Sequence, residues 1–256
     1  MQFITNLGTE NEIALELEDP KSDLPKLKES LENAGVEKDL ISAFLGDLAE
    51  APPIPRPKNI NDIPPARSEI KPLGSAPLRE FLEGSEKFKA FFKIEEERKG
   101  KFKPPFPPEG STARLVVFWK NIASRILFGP QTFSQGFSIT RGTSKTTTKS
   151  VTAQAGFSAK GLSAQVSATF STSFTISEEE TESKTFSVNV PEGKVFVFWI
   201  WQLVKELEFM DAKGNLLDYR GRFDFIVTLP IRLKDVVLPV NTNNFAAVPT
   251  SFDQQG

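Results

Sequence analysis

The chain has 256 residues, 31 basic and 33 acidic side chains, no His and no Cys. A net charge of −2 offers no global basic field to recruit nucleic acid. The missing residue types remove Ser-His-Asp and Cys-His catalysis, disulfides, iron–sulfur clusters and thiolate or imidazole metal sites, while carboxylate chemistry and oxygen-ligated metal stay open. No stretch approaches the ~18 consecutive apolar residues of a membrane-spanning helix. The start, Met1 to Gly8, lacks a basic n-region and a long apolar h-region. The expectation is a chain secreted or released without a recognisable signal peptide.

Residues 1–110 form an N-terminal helical and proline-rich region, read as a propeptide, targeting or packing segment. Ile13, Leu15 and Leu17 alternate with Glu12, Glu16 and Glu18, which predicts a short half-buried strand. Leu24, Leu27, Leu31, Ala34, Leu40, Ile41, Phe44, Leu45 and Leu48 recur at helical spacing and predict two short helices broken near Gly35. Residues 51–110 hold 12 of the 19 prolines, so the runs Pro52–Pro57 and Pro104–Pro108 are extended or turned. They read as a surface strap, with an SH3-type ligand as the functional alternative. Between them Leu78, Phe81, Leu82, Phe88, Phe91 and Phe92 share a helical face. Glu95 to Lys99 would be its solvated last turn.

Residues 111–256 read as β-structure. Leu115–Trp119 and Val195–Trp201 are apolar at every position, which demands cover on both faces. Asp211–Asn215 predicts a hairpin turn, and Phe223, Phe225, Val227 and Leu229 alternate into a further strand. From Asn241 the chain is polar and is expected to fray.

The unusual segment lies at about 143–178. From Gly142 to Ser177, 16 of 36 residues are Ser or Thr, and no Asp or Glu occurs between Glu109 and Glu178. Val151, Ala153, Ala155, Phe157 and Ala159 alternate with polar partners. After Lys160-Gly161 the parity flips to Leu162, Ala164, Val166, Ala168 and Phe170. Folding the chain at Lys160-Gly161 sets Ala159 opposite Leu162 and Val151 opposite Phe170, with every apolar residue meeting another. The other face carries Thr152, Gln154, Ser158, Ser163, Gln165, Ser167 and Thr169. Below the apolar band, the same register sets Arg141 against Glu180. Lys145 and Lys149 lie on the basic strand and Glu178 on the acidic one, a stem of charge pairs.

Each banded strand is nine residues long, close to the ~9–11 that a tilted transmembrane β-strand needs. The apolar face would meet lipid and the hydroxyl face would line water. One ribbon cannot span a bilayer alone, because its two edges would leave backbone groups unsatisfied in hydrocarbon. Several copies would each donate a hairpin, so a homo-oligomer follows from the hypothesis. A charge at Ala155 or Val166 is expected to spare the soluble fold and block insertion. The bland alternative is an ordinary antiparallel pair on a soluble sheet. It is weighed down by Ala at five of ten apolar positions and by an outer face without charge before Lys160.

The Ser/Thr tract Gln135–Ser150, the amphipathic hairpin Val151–Phe170, the second tract Ser171–Ser187 and the apolar strand Lys194–Trp201 together resemble the aerolysin-like β-pore-forming toxins, the group of aerolysin and epsilon-toxin. The resemblance covers roughly residues 111–240 and is one of pattern. It implies a mainly β, elongated antiparallel pore-forming module, ring assembly, and a β-barrel pore that causes cytolysis at a target-cell membrane. Its implied partners are membrane lipid and an unknown receptor, with no cofactor, no metal and no nucleic acid. Some members are activated by proteolysis. Arg98, Lys99 and Lys101 form one candidate cleavage stretch, with a solvated basic turn as the alternative. No receptor-binding module is recognisable in residues 1–110.

Two rival classes differ in what they require. A His-free enzyme would need paired carboxylates, for which Asp211, Asp218 and Asp224 are candidates by position alone. A non-lytic β-rich adhesin or structural interaction module would keep the ribbon as permanent sheet.

Overall fold

A computed structural model describes residues 2–5, 13–16, 23–97, 106–221 and 231–253. The protein is mainly β, with antiparallel sheets. Its frame is three 17-residue strands, β4 (Thr112–Phe128), β7 (Lys194–Met210) and β10 (Val237–Asp253). At ~3.3 Å per residue each reaches about 55 Å. With β1 (Gln2–Thr5), β2 (Ile13–Glu16) and β3 (Lys71–Pro77) they form one six-stranded sheet, ordered β2-β1-β10-β7-β4-β3. Strands from before and after residue 110 therefore share a sheet. Proline-bearing β3 lies at its edge, where a missing N–H is tolerated.

The expected strand at Ile13 is present, although Leu17 and Glu18 lie outside the described residues, as do Phe223 to Leu229 and Arg98, Lys99 and Lys101. The expected fraying from Asn241 is wrong. Residues 241–253 complete β10, an internal strand paired with β7 on one side and β1 on the other. Polar Asn241–Asn244 fills a register irregularity, and Phe245, Ala246, Ala247 and Val248 beyond it are buried.

The all-apolar stretches of β4 and β7 are covered on both faces, as their composition demands. On one face Val117, Trp119, Val197, Trp199 and Trp201 pack under two helices, α1 (Leu24–Asn33) and α2 (Lys38–Glu50). The break between these helices falls at Gly35, which takes φ +77°. The following proline run is strapped down: Trp119 Nε1 donates to the Pro52 carbonyl at 2.8 Å. On the other face Phe198, Ile200, Phe245 and Ala247 pack under a two-stranded ribbon of β5 (Gln131–Arg141) and β6 (Glu180–Val190). Beyond that ribbon, the same face of β7 turns to Glu206 and Glu208, which pair with Arg67 at 3.1 Å and Arg114 at 2.6 Å.

At the far end of the sheet, Leu115, Leu207 and Phe209 pack under α3 (Leu78–Leu82) and α4 (Glu86–Glu97). The single predicted helical face is two helices, divided at Glu83–Ser85, and all six of its apolar residues are buried. Phe106, in the middle of the second proline run, stacks on Phe88 at 5.5 Å. The turn at Asp211 forms as expected, with Asp211 N–H donating to the Asn215 carbonyl. It leads into a small ribbon of β8 (Asp218–Gly221) and β9 (Ile231–Lys234).

Candidate functional site

The Ser/Thr-rich segment departs from the alternation reading. In this structure it forms two helices, α5 (Lys145–Ala155) and α6 (Ala159–Phe170), instead of two strands. Lys160-Gly161 is the first turn of α6 and not a hairpin turn. The reason is arithmetic: a set of residues alternating at period two also contains every i,i+4 pair. Val151 with Ala155, and Leu162 with Val166, are such pairs, and these four are buried. Local signals agree with the helices. Ser144 Oγ accepts from Thr147 N–H at 3.2 Å and Ser158 Oγ from Gly161 N–H at 3.0 Å, both as N-caps. Gly156 ends α5 in the left-handed region, φ +71°.

The ten residues of the predicted apolar band are thus divided. Phe157, Ala159 and Phe170 are half-buried, and Ala153, Ala164 and Ala168 face solvent. An Asp at Ala155 or Val166 would therefore damage the soluble fold, contrary to expectation, because both side chains are fully buried. The predicted hydroxyl face is also in use. Gln154 Oε1 accepts from Lys234 N–H at 2.9 Å, and Ser163 Oγ accepts from Ile176 N–H at 3.0 Å. Thr152 and Ser167 donate to the carbonyls of Thr148 and Phe174. Gln165 donates to Thr169 Oγ1. Ser158 is exposed apart from its cap.

Thr, Ser, Val and Gly are weak helix formers, so tertiary contacts hold α5 and α6. Burying Val151, Leu162 and Val166 contributes about 1.5–3 kcal/mol each. Phe81 of α3 lies 5.9 Å from Phe157 edge-on, 6.2 Å from Phe170 in a stack, and 5.7 Å from Phe209 of the sheet. Ser85 Oγ donates to the Gly156 carbonyl at 2.6 Å.

The charge pairs at the base lie where β5 and β6 meet these helices. Arg141 pairs with Glu180 at 3.1 Å, and these two residues are also cross-strand partners. Lys145 lies 3.7 Å from Glu178. Lys149 is exposed on α5 and has no ion-pair partner among the described residues. The β5–β6 pairing runs one-for-one without a bulge from Gln131 opposite Val190 to Arg141 opposite Glu180.

A second fastening is not visible in the alternation. Lys205 of β7, 3% exposed, lies 2.7 Å from Asp47 and 2.8 Å from Glu50 of α2. Its Nζ also donates to Thr172 Oγ1 at 2.9 Å and to the Ser173 carbonyl at 2.8 Å, in the chain leaving α6. Thr172 Oγ1 donates to Glu50 in turn, at 2.7 Å. One buried cation therefore joins the sheet, α2 and the exit of α6. Burial pushes the Asp47 carboxyl above its usual range, with Lys205 opposing the shift. The available signal was Lys205 close behind the apolar run Val195–Trp201 and flanked by Leu203, Val204 and Leu207, since a charge there needs a buried partner.

Asp211 accepts from the N–H groups of Lys213 at 2.8 Å and Asn215 at 2.9 Å, which holds its carboxyl below the usual range. That is the chemistry of a capped turn. Asp218 opens β8 opposite Lys234, and Asp224 lies outside the described residues. Among the described residues no helix is long and apolar enough to cross a membrane.

No family model matches the chain, and no curated protein matches it. Among solved structures it is similar to Cry35Ab1, at 9% identity and a TM-score of 0.36, over 54% of this chain and 38% of that one. It is also similar to the oligomeric pore-forming toxin pro-Monalysin, at 14% identity and a TM-score of 0.29, over 54% of this chain and 60% of that one. The chain spans less than two thirds of the length of either structure.

Proposed function

We propose that this chain is a pore-forming protein, secreted or released without a recognisable signal peptide, and that the helices α5 and α6 are the stored form of a membrane-inserting β-hairpin. Copies assemble on a target-cell membrane, through lipid and a receptor. Each copy unwinds the two helices and extends β5 and β6 into a transmembrane barrel whose closure removes every strand edge. Val151, Ala153, Ala155, Phe157, Ala159, Leu162, Ala164, Val166, Ala168 and Phe170 then face lipid. Thr152, Gln154, Ser158, Ser163, Gln165, Ser167 and Thr169 then line the lumen. Cleavage at Arg98, Lys99 or Lys101 is the proposed activating step.

The observation that carries this reading is the register of β5 and β6. Continued outward one-for-one from Arg141 and Glu180, it sets Val151 opposite Phe170, Ala155 opposite Val166 and Ala159 opposite Leu162. It leaves Lys160-Gly161 as a two-residue turn. No slip is required, and a slip of one residue would turn the apolar face toward water. The ribbon already formed in the soluble protein would act as the template for the rest. The resemblance in sequence pattern to the aerolysin-like toxins agrees with this.

The competing reading is a non-lytic interaction module that keeps both helices in place, and the four buried side chains of α5 and α6 favour it. Dye release from liposomes separates the two. Ala164 is exposed in α6, so Ala164→Arg leaves the soluble fold intact. In the hairpin it sets a cation on the lipid face at a cost of roughly 2–4 kcal/mol per protomer near the midplane. Pore formation predicts dye release, a gain of β-signal at the expense of helix on vesicles, and loss of both in Ala164→Arg. An Ala164→Arg variant that leaks normally, or dye release with no gain of β-signal, would refute it.

A further inference from the structure

The partners that hold α5 and α6 come from a distant part of the chain. Of the five residues of α3, Leu78, Phe81 and Leu82 are at most 1% exposed, in the same cluster as Val151, Ala155, Leu162 and Val166. The end of α5 leaves carbonyl groups without helical partners. Two of them accept from the start of α4: Ser85 Oγ donates to the Gly156 carbonyl at 2.6 Å, and Lys87 Nζ to the Ala153 carbonyl at 3.4 Å. A cation at a helix C-terminus also opposes the helix dipole favourably. At two points the approach leaves no room for a side chain. A Cβ on Gly74 would lie 2.6 Å from the Phe170 ring, and one on Gly84 would collide with the Gln165 amide.

The helices have little of their own to fall back on. They are 11 and 12 residues long, at or below the ~12–15 at which isolated helices are marginal even in good sequences. The α3–α4 unit is tied to the sheet at its front end by β3, and the stretch with Arg98, Lys99 and Lys101 follows α4 directly. A cut in that stretch leaves the back end of α4 held by non-covalent contacts alone, such as the stack of Phe88 on Phe106. Losing the covalent link lowers the effective concentration of α4 at its seat.

The geometry points to α3–α4 as a clasp that gates α5 and α6: the two helices unwind only after α3 withdraws, and a cut behind α4 loosens the clasp. This names the regulation of the stored hairpin and rests on that reading for its purpose. The clasp itself is measurable without a membrane.

The first measurement is hydrogen exchange on the full chain in solution. Ser85→Ala/Lys87→Ala removes both donors and should speed exchange in the last turn of α5 roughly fivefold or more. Phe81→Ala should speed α5 and α6 roughly a hundredfold or more, well beyond β4 and β7. Leu31→Ala, an equally buried truncation in the separate cluster under α1 and α2, should leave α5 and α6 at parent rates. If Phe81→Ala does not fold, the donor variant decides. Parent rates in α5 for the donor variant, or acceleration of α5 and α6 by Leu31→Ala matching that of Phe81→Ala, would overturn the clasp.

The second measurement is a lock. A Cβ at Gly84 would fall against Gln165 Cδ, two bonds from that residue's own Cβ, so Gly84→Cys/Gln165→Cys brings two thiols within disulfide reach. The chain has no other Cys, so the bridge is unambiguous. Oxidised protein should exchange more slowly in α6 than reduced protein, and equal rates with the bridge formed would overturn the clasp. Dye release blocked by oxidation and restored by reduction would support the clasp as the gate of the pore. Undiminished release from the oxidised protein, with exchange as expected, would refute the stored-hairpin reading and leave the clasp standing.

Discussion

Replacing Lys205 with Met removes one charge and strands two. Asp47 and Glu50 stay beside the sheet without their cation, and Thr172 Oγ1 and the Ser173 carbonyl lose a donor. Breaking a buried pair by deleting one partner costs about 3–5 kcal/mol. The Glu50 side chain is 30% exposed, so water offsets part of the loss and the low end, about 3 kcal/mol, applies. For a chain of this size each kcal/mol moves Tm by ~2–4 °C, so Lys205→Met should melt about 6–12 °C early. The triple variant Lys205→Met/Asp47→Leu/Glu50→Met removes the stranded charges with the cation and should recover most of that loss. Calorimetry reads the global effect. Hydrogen exchange at Ile176, whose N–H is held by Ser163, reads whether the chain leaving α6 loosens. A Tm within about 2 °C of the parent for Lys205→Met would refute the fastening role.

Three further outcomes are expected. The folded Asp47 carboxyl titrates above its unfolded value of 3.8, so it binds protons more tightly folded than unfolded. Its contribution to stability therefore rises as pH falls from neutral through the folded value and levels off below 3.8. Asp47→Asn mimics the protonated form, so it should be no less stable than the parent at pH 7, and melting curves should converge as pH falls. A variant that melts well below the parent at pH 7 would reverse the sign. Ser158→Ala removes the N-cap of α6 and should cost about 0.5–2 kcal/mol in urea unfolding. In the pore reading it should also speed dye release, and slower release would count against the helices as a stored state. Gly74→Ala would bring a Cβ to 2.6 Å from the Phe170 ring, so it should displace that ring and raise exchange across α6. Unchanged exchange would show that the ring is not pinned there.

Much of the frame was legible because local signals decided it. Gly35 divides α1 from α2, the apolar runs mark the covered stretches of β4 and β7, and Asp211–Asn215 carries its own turn chemistry. The α5–α6 segment was misjudged because period two and i,i+4 select the same residues there. Ser144, Gly156 and Ser158 held the deciding cap signals. Strand β10 was missed because Asn241–Asn244 resembles a fraying tail, whereas pairing with β1 and β7 decides its fate. The Lys205 cluster and the Ser85–Gly156 contact join residues far apart in the chain, and no local pattern encodes that approach.

Phe81 has one more consequence. Its ring touches α5–α6 through Phe157 and Phe170 and the sheet through Phe209, although it sits in a stretch that the sequence alone would assign to another region. Evolution cannot alter these four rings independently: a smaller residue at 157 or 170 leaves a hole that only a larger neighbour can fill. Positions 81, 157, 170 and 209 should therefore drift as a coupled set among descendants of this chain, tying the history of its first hundred residues to that of its most unusual segment.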